Sequence, residues 1–237
     1  MFFKKRKHTR EQGRTIDSQI IVVWGAGGNN TAAFSLKLAE ELSQLARVIL
    51  VELPCLGIPR LSFALEKWDH EQTIETVLTK YWFNGTIMGK GFYEHTPNLA
   101  LLPISPFAQP DNPLVNRVGL EVLKNFPGHF ANSVWKKGWE IVLFICQGQL
   151  IHPLTFFALQ SAQQVFLPVN DPSTIAYSTL NIKKLQDVFR FPVQKFKVVA
   201  PQHNELIKEV MGENIMVYRE NYRELVLSCL REVKKAI

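Results

Sequence analysis

A chain of 237 residues with 46% hydrophobic and 11% aromatic residues is long enough for one α/β domain and too apolar to be intrinsically disordered. No run of about 18 apolar residues suggests a membrane span, and three scattered cysteines without CxxC spacing argue against a disulfide framework or a zinc site. We therefore expect a cytoplasmic protein with a basic flexible arm over 1–17 and a single α/β domain over 18–237.

The positive charge is concentrated at the N-terminus. Residues 1–14 carry six cations against Glu11, so this arm supplies +5 of the formal net charge of +6. We expect no basic groove on the folded body, and the arm is where an anionic membrane or a nucleic acid would be attracted. A solvated tail without a partner is the alternative. The six cations are Lys4, Lys5, Arg6, Lys7, Arg10 and Arg14.

Apolar runs rich in β-branched residues predict seven strands, at Gln19–Trp24, Val48–Leu53, Asn98–Ile104, Ile141–Cys146, Gln164–Val169, Phe196–Ala200 and Asn214–Tyr218. Apolar residues at helical spacing predict helices at Thr31–Gln44, Ile58–Glu66, Thr73–Thr79, Leu114–Phe126, Leu154–Ala162, Pro172–Phe189, Asn204–Met211 and Asn221–Ala236. Glycines indicate a loop over Phe83–Thr96, and prolines indicate another over 105–113. Fully apolar strands that alternate with helices predict a doubly wound, mainly parallel sheet of about seven strands, with helices on both faces.

The first strand runs through a glycine-rich turn into a helix, as phosphate-binding loops do. Small residues let successive backbone N–H groups converge on an anion, and the helix N-terminus adds partial positive charge. This turn, together with Glu52 at the end of the second strand, is our candidate nucleotide or anion site. A bare turn in which Asn30 or Thr31 caps the helix is the alternative. The turn comprises Gly25, Ala26, Gly27, Gly28, Asn29, Asn30 and Thr31.

On these residues the chain resembles the ParA/MinD family of P-loop ATPases, whose deviant Walker A loop reads Lys-Gly-Gly-x-Gly-Lys-Thr between a buried strand and a helix. Thr31 matches the family's magnesium-binding threonine, and Gly27 matches a loop glycine. Gly25 and Asn30 stand where the family has its two lysines. The resemblance covers residues 18–222 and includes the strand AQQVFLPV with the Asp-Pro turn that follows it.

Further departures from the family lie downstream of the loop. Glu52 keeps one of the two carboxylates that follow the family's second strand, and Pro54 replaces the other. Cys146 stands where the Walker B aspartate would orient magnesium. Phosphoryl transfer is catalysed by positioning and by stabilising charge. The resemblance therefore implies a degenerate ATPase without catalytic residues or a metal site, and with at most weak binding of ATP or ADP.

The resemblance also implies a role. Within the family, the branch similar to CpaE and TadZ positions pili and secretion systems and often has altered Walker residues. It implies a scaffold or positioning factor rather than an enzyme, with protein partners in a pilus, secretion or partition machine. A homodimer and a location in the cytoplasm or peripheral at the inner membrane face are implied as well.

Two other functions remain open from the sequence. GAGGNN is close to the GxGxxG of dinucleotide-binding oxidoreductases, in which Glu52 would bind a ribose hydroxyl. Against this function, Asn30 replaces the third glycine of that motif. An atypical active ATPase is the second alternative.

The last predicted helix has a continuous apolar stripe that includes Tyr222, Leu225 and Val226. Packing against the fold explains this stripe, because the polar face mixes charges of both signs. Membrane binding, as in the C-terminal helix of MinD-like proteins, is the alternative.

Overall fold

The computed structural model describes residues 18–28, 30–54, 59–70, 72–87, 92–107, 118–148, 152–201, 205, 208–209, 215–217 and 222–232. The strands are β1 (Gln19–Gly25), β2 (Val48–Glu52), β3 (Tyr93–Thr96), β4 (Leu99–Leu102), β5 (Ile141–Gln147), β6 (Gln164–Pro168), β7 (Phe196–Ala200) and β8 (Ile215–Val217). The helices are α1 (Ala32–Ser43), α2 (Arg60–Leu65), α3 (Ile74–Asn84), α4 (Leu120–Trp135), α5 (Pro153–Ser161), α6 (Pro172–Phe189) and α7 (Tyr222–Glu232). A 3₁₀ turn spans Val193–Lys195.

The strands form one sheet in the order β3-β4-β2-β5-β1-β6-β7-β8. Every neighbouring pair is parallel except β3 and β4, which are antiparallel. All seven predicted strands are present, and the predicted doubly wound parallel sheet is confirmed. All residues of β1, β2, β4 and β6 are buried, as expected of parallel strands that helices cover on both faces.

The predicted loop over Phe83–Thr96 is wrong at its end, where β3 forms the edge of the sheet. Three of its four residues are only half-buried, and Glu94 is exposed. An edge strand faces water on its free side, so it lacks the apolar run by which the buried strands were predicted. α3 also extends past the predicted end at Thr79, because Tyr81 packs against Phe126 with ring centroids 5.6 Å apart.

α4 continues nine residues past Phe126, where its predicted end lay, even though Pro127 follows. A proline within a helix costs about 3 kcal/mol. Beyond it, Phe130, Ala131 and Val134 are buried in the core, and this burial offsets the cost. Residues 114–117, where the predicted helix began, lie outside the described ranges.

Two hydrophobic cores cover the two faces of the sheet, because successive side chains of a strand point to opposite sides. Ile20, Val22 and Trp24 belong to the first core, which α3, α4, α5 and α6 cover. Ile21 and Val23 belong to the second core, which α1, α2 and α7 cover.

The stripe of the last helix packs against this second core. Leu225 and Val226 of α7 are buried, and the ring of Tyr222 lies 5.6 Å from that of Phe34 on α1. The prediction that the stripe packs against the fold is confirmed for these residues. In the described part of the chain, no helix has the length and apolarity needed to cross a membrane.

Candidate functional site

The glycine turn connects β1 to α1 at the carboxyl edge of the sheet. The N–H of Gly28 donates to the carbonyl of Gly25 at 2.8 Å, and Gly28 has a φ of 81°, which favours glycine. Asn29 lies outside the described residues. The turn therefore brings Gly25, Ala26, Gly27 and Gly28 to the edge where ligands of such sheets bind.

Asn30 caps α1. Its side chain is exposed, and its Oδ1 accepts a hydrogen bond from the N–H of Ala32 at 3.0 Å. One of the unpaired N–H groups at the helix start is thus satisfied by a neutral side chain. This bond is the kind of contact that the capping alternative predicted for Asn30, and whether the turn also binds a ligand stays a prediction.

Thr31 is buried at the same helix start. No cap hydrogen bond forms from its side chain, and its Oγ1 has no hydrogen-bond partner among the described residues. A buried hydroxyl without a partner carries a desolvation cost. Among the described residues of the turn, Thr31 is therefore the one with a buried side-chain group that has no hydrogen-bond partner.

The turn packs closely against α6. A Cβ on Gly27 would lie 2.6 Å from the Cα of Thr174, a separation that excludes any larger residue without backbone movement. The side-chain amide of Asn181 donates to the carbonyl of Ala26 at 2.9 Å, and this bond is buried. Glycine is therefore required at position 27 by contact with a helix, and α6 fixes the shape of the turn.

The start of α6 is itself fixed by a capping box. Oδ1 of Asp171 accepts from the N–H of Thr174 at 2.9 Å, and Oγ1 of Thr174 accepts from the N–H of Asp171 at 3.1 Å. Pro172 occupies the first turn, where proline is favoured. The Asp-Pro turn noted in the sequence thus fixes where α6 begins, and this start places Thr174 against Gly27 of the glycine turn.

Sequence reasoning did not place α6 in the site. The signal was a row of small polar residues at helical spacing, because Thr174, Ser178 and Asn181 are all buried on one side of the helix. Buried polar residues on a helix normally have a specific partner. That row could have indicated contact with a backbone turn.

Glu52 lies at the same edge, at the end of β2, and is fully buried. Its Oε1 accepts from the N–H of Leu61 in α2 at 3.1 Å. Its Oε2 accepts from the N–H of Ile104 after β4 at 3.3 Å. The carboxylate that was predicted to face a nucleotide therefore ties two segments of backbone to β2.

A second buried carboxylate, which the sequence analysis did not identify, lies beside it. Glu75 of α3 accepts from the N–H of Ser105 at 3.1 Å, and burial raises the pKa of its carboxyl group. Glu52 and Glu75 together hold the segment that leaves β4. The oxygens of both carboxylates accept hydrogen bonds from backbone N–H groups. At this edge of the sheet, nucleotide-dependent relatives would use carboxylates to orient water and a metal ion.

Cys146 is fully buried near the end of β5. It pairs in register with Trp24 of β1 and belongs to the first core. A thiol in apolar surroundings does not supply the carboxylate that orients magnesium. Within the described ranges, no group of three or more His, Cys, Asp or Glu side chains is arranged to hold a metal ion.

These residues do not fit a magnesium–triphosphate. The buried hydroxyl of Thr31 is suited to a ligand, but the two lysine positions hold Gly25 and Asn30. The carboxylate of Glu52 bonds to backbone, and position 146 holds a buried cysteine in place of a carboxylate. The described part of the site thus has a glycine turn at the start of a helix but no lysine in the turn and no carboxylate at position 146.

The strand order of this sheet differs from that of the dinucleotide-binding fold, which the oxidoreductase alternative requires. In the dinucleotide-binding order, the second strand lies next to the first, so that its terminal acid reaches the ribose. Here β5 lies between β1 and β2. Glu52 is thus separated from the glycine turn by a full strand, and its oxygens bond to Leu61 and Ile104.

His152 provides the N-cap of α5 near this edge. Its Nδ1 accepts from the N–H of Leu154 at 3.2 Å, a bond that requires an unprotonated Nδ1. Burial lowers the pKa of the imidazole. Protonation would remove the acceptor and place a positive charge at the positive end of a helix dipole.

The His152 cap should make stability depend on pH. A depressed pKa in the folded state means that the stabilisation is present above the ordinary histidine pKa of about 6.5 and is lost as pH falls through the folded value. We expect His152→Asn, which retains a capping side chain, to show a shallower fall in unfolding free energy between pH 7 and about pH 5. Urea denaturation at both pH values measures this slope. His8→Asn in the arm is the control, and equal slopes for His152→Asn and the parent would contradict the prediction.

Comparisons with known proteins agree with this architecture. No family model and no curated protein matches the sequence. A ParA family ATPase from Chlorobium tepidum TLS superposes with a TM-score of 0.63 at 15% identity, covering 94% of this chain and 93% of that one. A putative plasmid partition protein from Borrelia burgdorferi B31, bound to AMPPNP, gives 0.62 at 14% identity over 93% and 100% of the two chains.

A chain of the MinC:MinD cell division complex from Aquifex aeolicus gives a TM-score of 0.56 at 16% identity, covering 89% of this chain and 78% of that one. Identities this low establish the fold alone. The fold is that of ParA/MinD-type P-loop ATPases, and the resemblance drawn from the sequence is confirmed at that level.

Proposed function

We propose that this protein is a scaffold or positioning factor built on the ParA/MinD fold that does not hydrolyse ATP and acts through protein contacts in a pilus, secretion or partition machine. The observation that carries the proposal is Asn30. At the position where the family grips phosphate with a lysine, a neutral side chain caps α1 through the N–H of Ala32.

The energetic consequence is large. A hydrogen bond to a charged group contributes about 1.5–3 kcal/mol, so the absence of two lysines costs roughly 3–6 kcal/mol, or on the order of 10²–10⁴ in affinity for a nucleotide. Because phosphoryl transfer depends on stabilising charge, the rate of hydrolysis falls as well. ATP or ADP would bind weakly at the turn.

Packing supports the same proposal. A phosphate loop that cycles between nucleotides needs backbone N–H groups free to face the ligand. Here the contact of Gly27 with Thr174 and the bond from Asn181 to the carbonyl of Ala26 hold the turn against α6. The turn then serves as a structural joint between β1 and α6.

Exposed apolar side chains on α6 favour action through protein contacts. Tyr177 and Leu180, three residues apart on the outer side of α6, are 49% and 62% exposed. Monomeric proteins rarely leave connected apolar surface open to water, and such surface is typical of interaction sites. One of the structural neighbours is a complex of MinD with MinC. We propose protein partners, and a homodimer, for this chain.

The ATPase reaction tests the proposal. The purified protein should release no phosphate from ATP above background in the presence of magnesium, because neither lysine nor the Walker B carboxylate is present. Thr31→Ala should match the parent within error. Phosphate release by the parent at the turnover of an ordinary ATPase, abolished in Thr31→Ala, would instead establish the atypical active ATPase.

A further inference from the structure

One face of α6 carries a stripe of mainly apolar residues that is open to water. Four exposed residues follow one another at intervals of three or four positions, which places them on the same face of a helix. They are Tyr177, Leu180, Lys184 and Val188, and we call them the α6 stripe. Its three apolar members are 49%, 62% and 64% exposed. Connected apolar surface of this kind is typical of a site that another protein covers.

The residues that attach α6 to the fold are separate from the stripe. Thr174 contacts Gly27 and Asn181 bonds to Ala26, and both residues of α6 are buried. Among the residues that the structure describes, Lys184 has no carboxylate within ion-pair distance. A partner could therefore cover the stripe without disturbing the contacts that hold the glycine turn.

The distribution of charge along α6 indicates what covers the stripe. Residues 172–182 carry no charged side chain, whereas the second half of the helix carries Lys183, Lys184 and Asp187. Two copies of α6 packed in parallel would bring the lysines of both copies together, and like charges repel. In an antiparallel pair, the uncharged half of each helix lies opposite the lysines of the other. The helix is therefore complementary to a second copy of itself in the antiparallel direction.

Helix geometry gives the register of such a pair. Because each residue rises about 1.5 Å, Tyr177 and Lys184 lie about 5 Å on either side of the midpoint between residues 180 and 181. With a twofold axis at that midpoint, the two copies of Leu180 meet at the axis. The ammonium of Lys184 in each copy then lies opposite the ring of Tyr177 in the other, which is a favourable contact. Val188 lies opposite the exposed side chain of Ser173.

We propose that two copies of this chain associate through their α6 stripes in an antiparallel, twofold-symmetric contact, to which each copy contributes the same surface. This proposal rests on the homodimer proposed above and names the surface that forms it. The two copies of Thr174, each against its own glycine turn, would lie about 20 Å apart along the helix axes. Since neither turn takes part in the contact, the dimer should form without a nucleotide and should not respond to ATP.

Sedimentation equilibrium of the full chain tests the proposal. A contact on one helix is smaller than a standard protein interface, so the dimer should dissociate on dilution between about 200 and 1 µM. Leu180→Arg should weaken dimerisation by on the order of tenfold or more, because it places two charges at the axis. Leu120→Arg is the matched control, since Leu120 on α4 is 59% exposed and Leu180 is 62% exposed. The control should change dimerisation by less than about twofold.

The two neighbouring lysines provide a second matched pair. Lys184→Glu removes the cation opposite Tyr177 and should weaken dimerisation by about fivefold or more, because this contact occurs twice in the dimer. Lys183→Glu changes the net charge equally at a residue outside the stripe and should have an effect of less than about twofold. Circular dichroism should be unchanged in these variants, since each altered side chain is exposed.

Disulfide cross-linking tests the direction of the helices. Leu180→Cys should give a covalent dimer on mild oxidation, because its two copies meet at the axis. Val188→Cys should not, because its two copies lie about 22 Å apart along the helix axes, and a disulfide needs Cα atoms within about 7 Å. The unsubstituted parent controls for cross-linking through its own three cysteines.

Three results would overturn the proposal. The first is a protein that stays monomeric at every concentration. The second is an equal effect of Leu180→Arg and Leu120→Arg, which would assign the dimer to another surface. The third is cross-linking of Val188→Cys as efficient as that of Leu180→Cys, which would show that the helices are not antiparallel. Phosphate release from ATP is measured independently of all three, so a failure of the α6 contact is distinguishable from a failure of the non-hydrolysing scaffold.

Discussion

Asn30→Lys is expected to raise the affinity for ATP by on the order of 10–10²-fold, the gain from one hydrogen bond to a charged group. The exposed side chain of Asn30 leaves room for a lysine without disturbing either core. The lysine would lie at the end of a turn already shaped for phosphate, next to the unpartnered hydroxyl of Thr31. Calorimetry with magnesium and ATP measures the change.

Asn30→Met is the matched control. Both substitutions remove the bond to the N–H of Ala32 and should cost about 0.5–2 kcal/mol of stability, but only lysine adds charge. An equal ATP affinity for the two variants would contradict the alignment of the turn with the family's loop, or show that α6 keeps the turn closed. Adding Asn181→Ala, which frees the carbonyl of Ala26, distinguishes these two explanations, because only a closed turn would then gain affinity.

Restoring the other two family residues is a weaker test for a structural reason. Gly25 is buried at the end of β1, and Cys146 is fully buried in the first core. An aspartate at position 146 would place a carboxylate in apolar surroundings, which costs several kcal/mol. Of the three positions at which Gly25, Asn30 and Cys146 replace the family's charged residues, the structure favours restoring the charge at Asn30 alone.

β1, β2, β4 and β6 could be predicted because each is an apolar run whose residues are all buried, a pattern that local sequence displays directly. β3 could not, since its residues are half-buried or exposed and read Tyr-Glu-His-Thr. Likewise, the extension of α4 past Pro127 depends on the burial of Phe130 and Val134 against other elements. Local propensity predicts an element correctly where burial is uniform and fails where tertiary packing decides.

For the candidate site, the sequence predicted where the residues lie along the strands but not their partners. The turn was predicted to follow the first strand and Glu52 to end the second, and both lie at the carboxyl edge of the sheet. The bond from Asn181 to Ala26, however, joins residues 155 positions apart, and Glu52 bonds to Ile104, 52 positions away. A carboxylate at a strand end looks the same in sequence whether it faces a ligand or a backbone N–H. The packing of distant segments makes that choice.

Glu52→Ala is expected to lower the free energy of unfolding by about 2–6 kcal/mol. The substitution leaves the N–H groups of Leu61 and Ile104 without their acceptors, and each orphaned buried donor costs about 1–3 kcal/mol. Glu52→Gln keeps one acceptor oxygen and should lose less. For a domain whose total stability is about 5–15 kcal/mol, the alanine variant approaches unfolding, which a shift in the urea midpoint would show.

Glu121→Ala is the control for this prediction, because the side chain of Glu121 is 76% exposed and a surface change of this kind stays within about 0.5 kcal/mol. A Glu52→Ala variant as stable as the control, but with weaker binding of ATP, would contradict the structural role. Water would then have replaced the carboxylate on both N–H groups. Glu52 would then be available to a ligand, and the prediction from the sequence that it belongs to a nucleotide site would be supported.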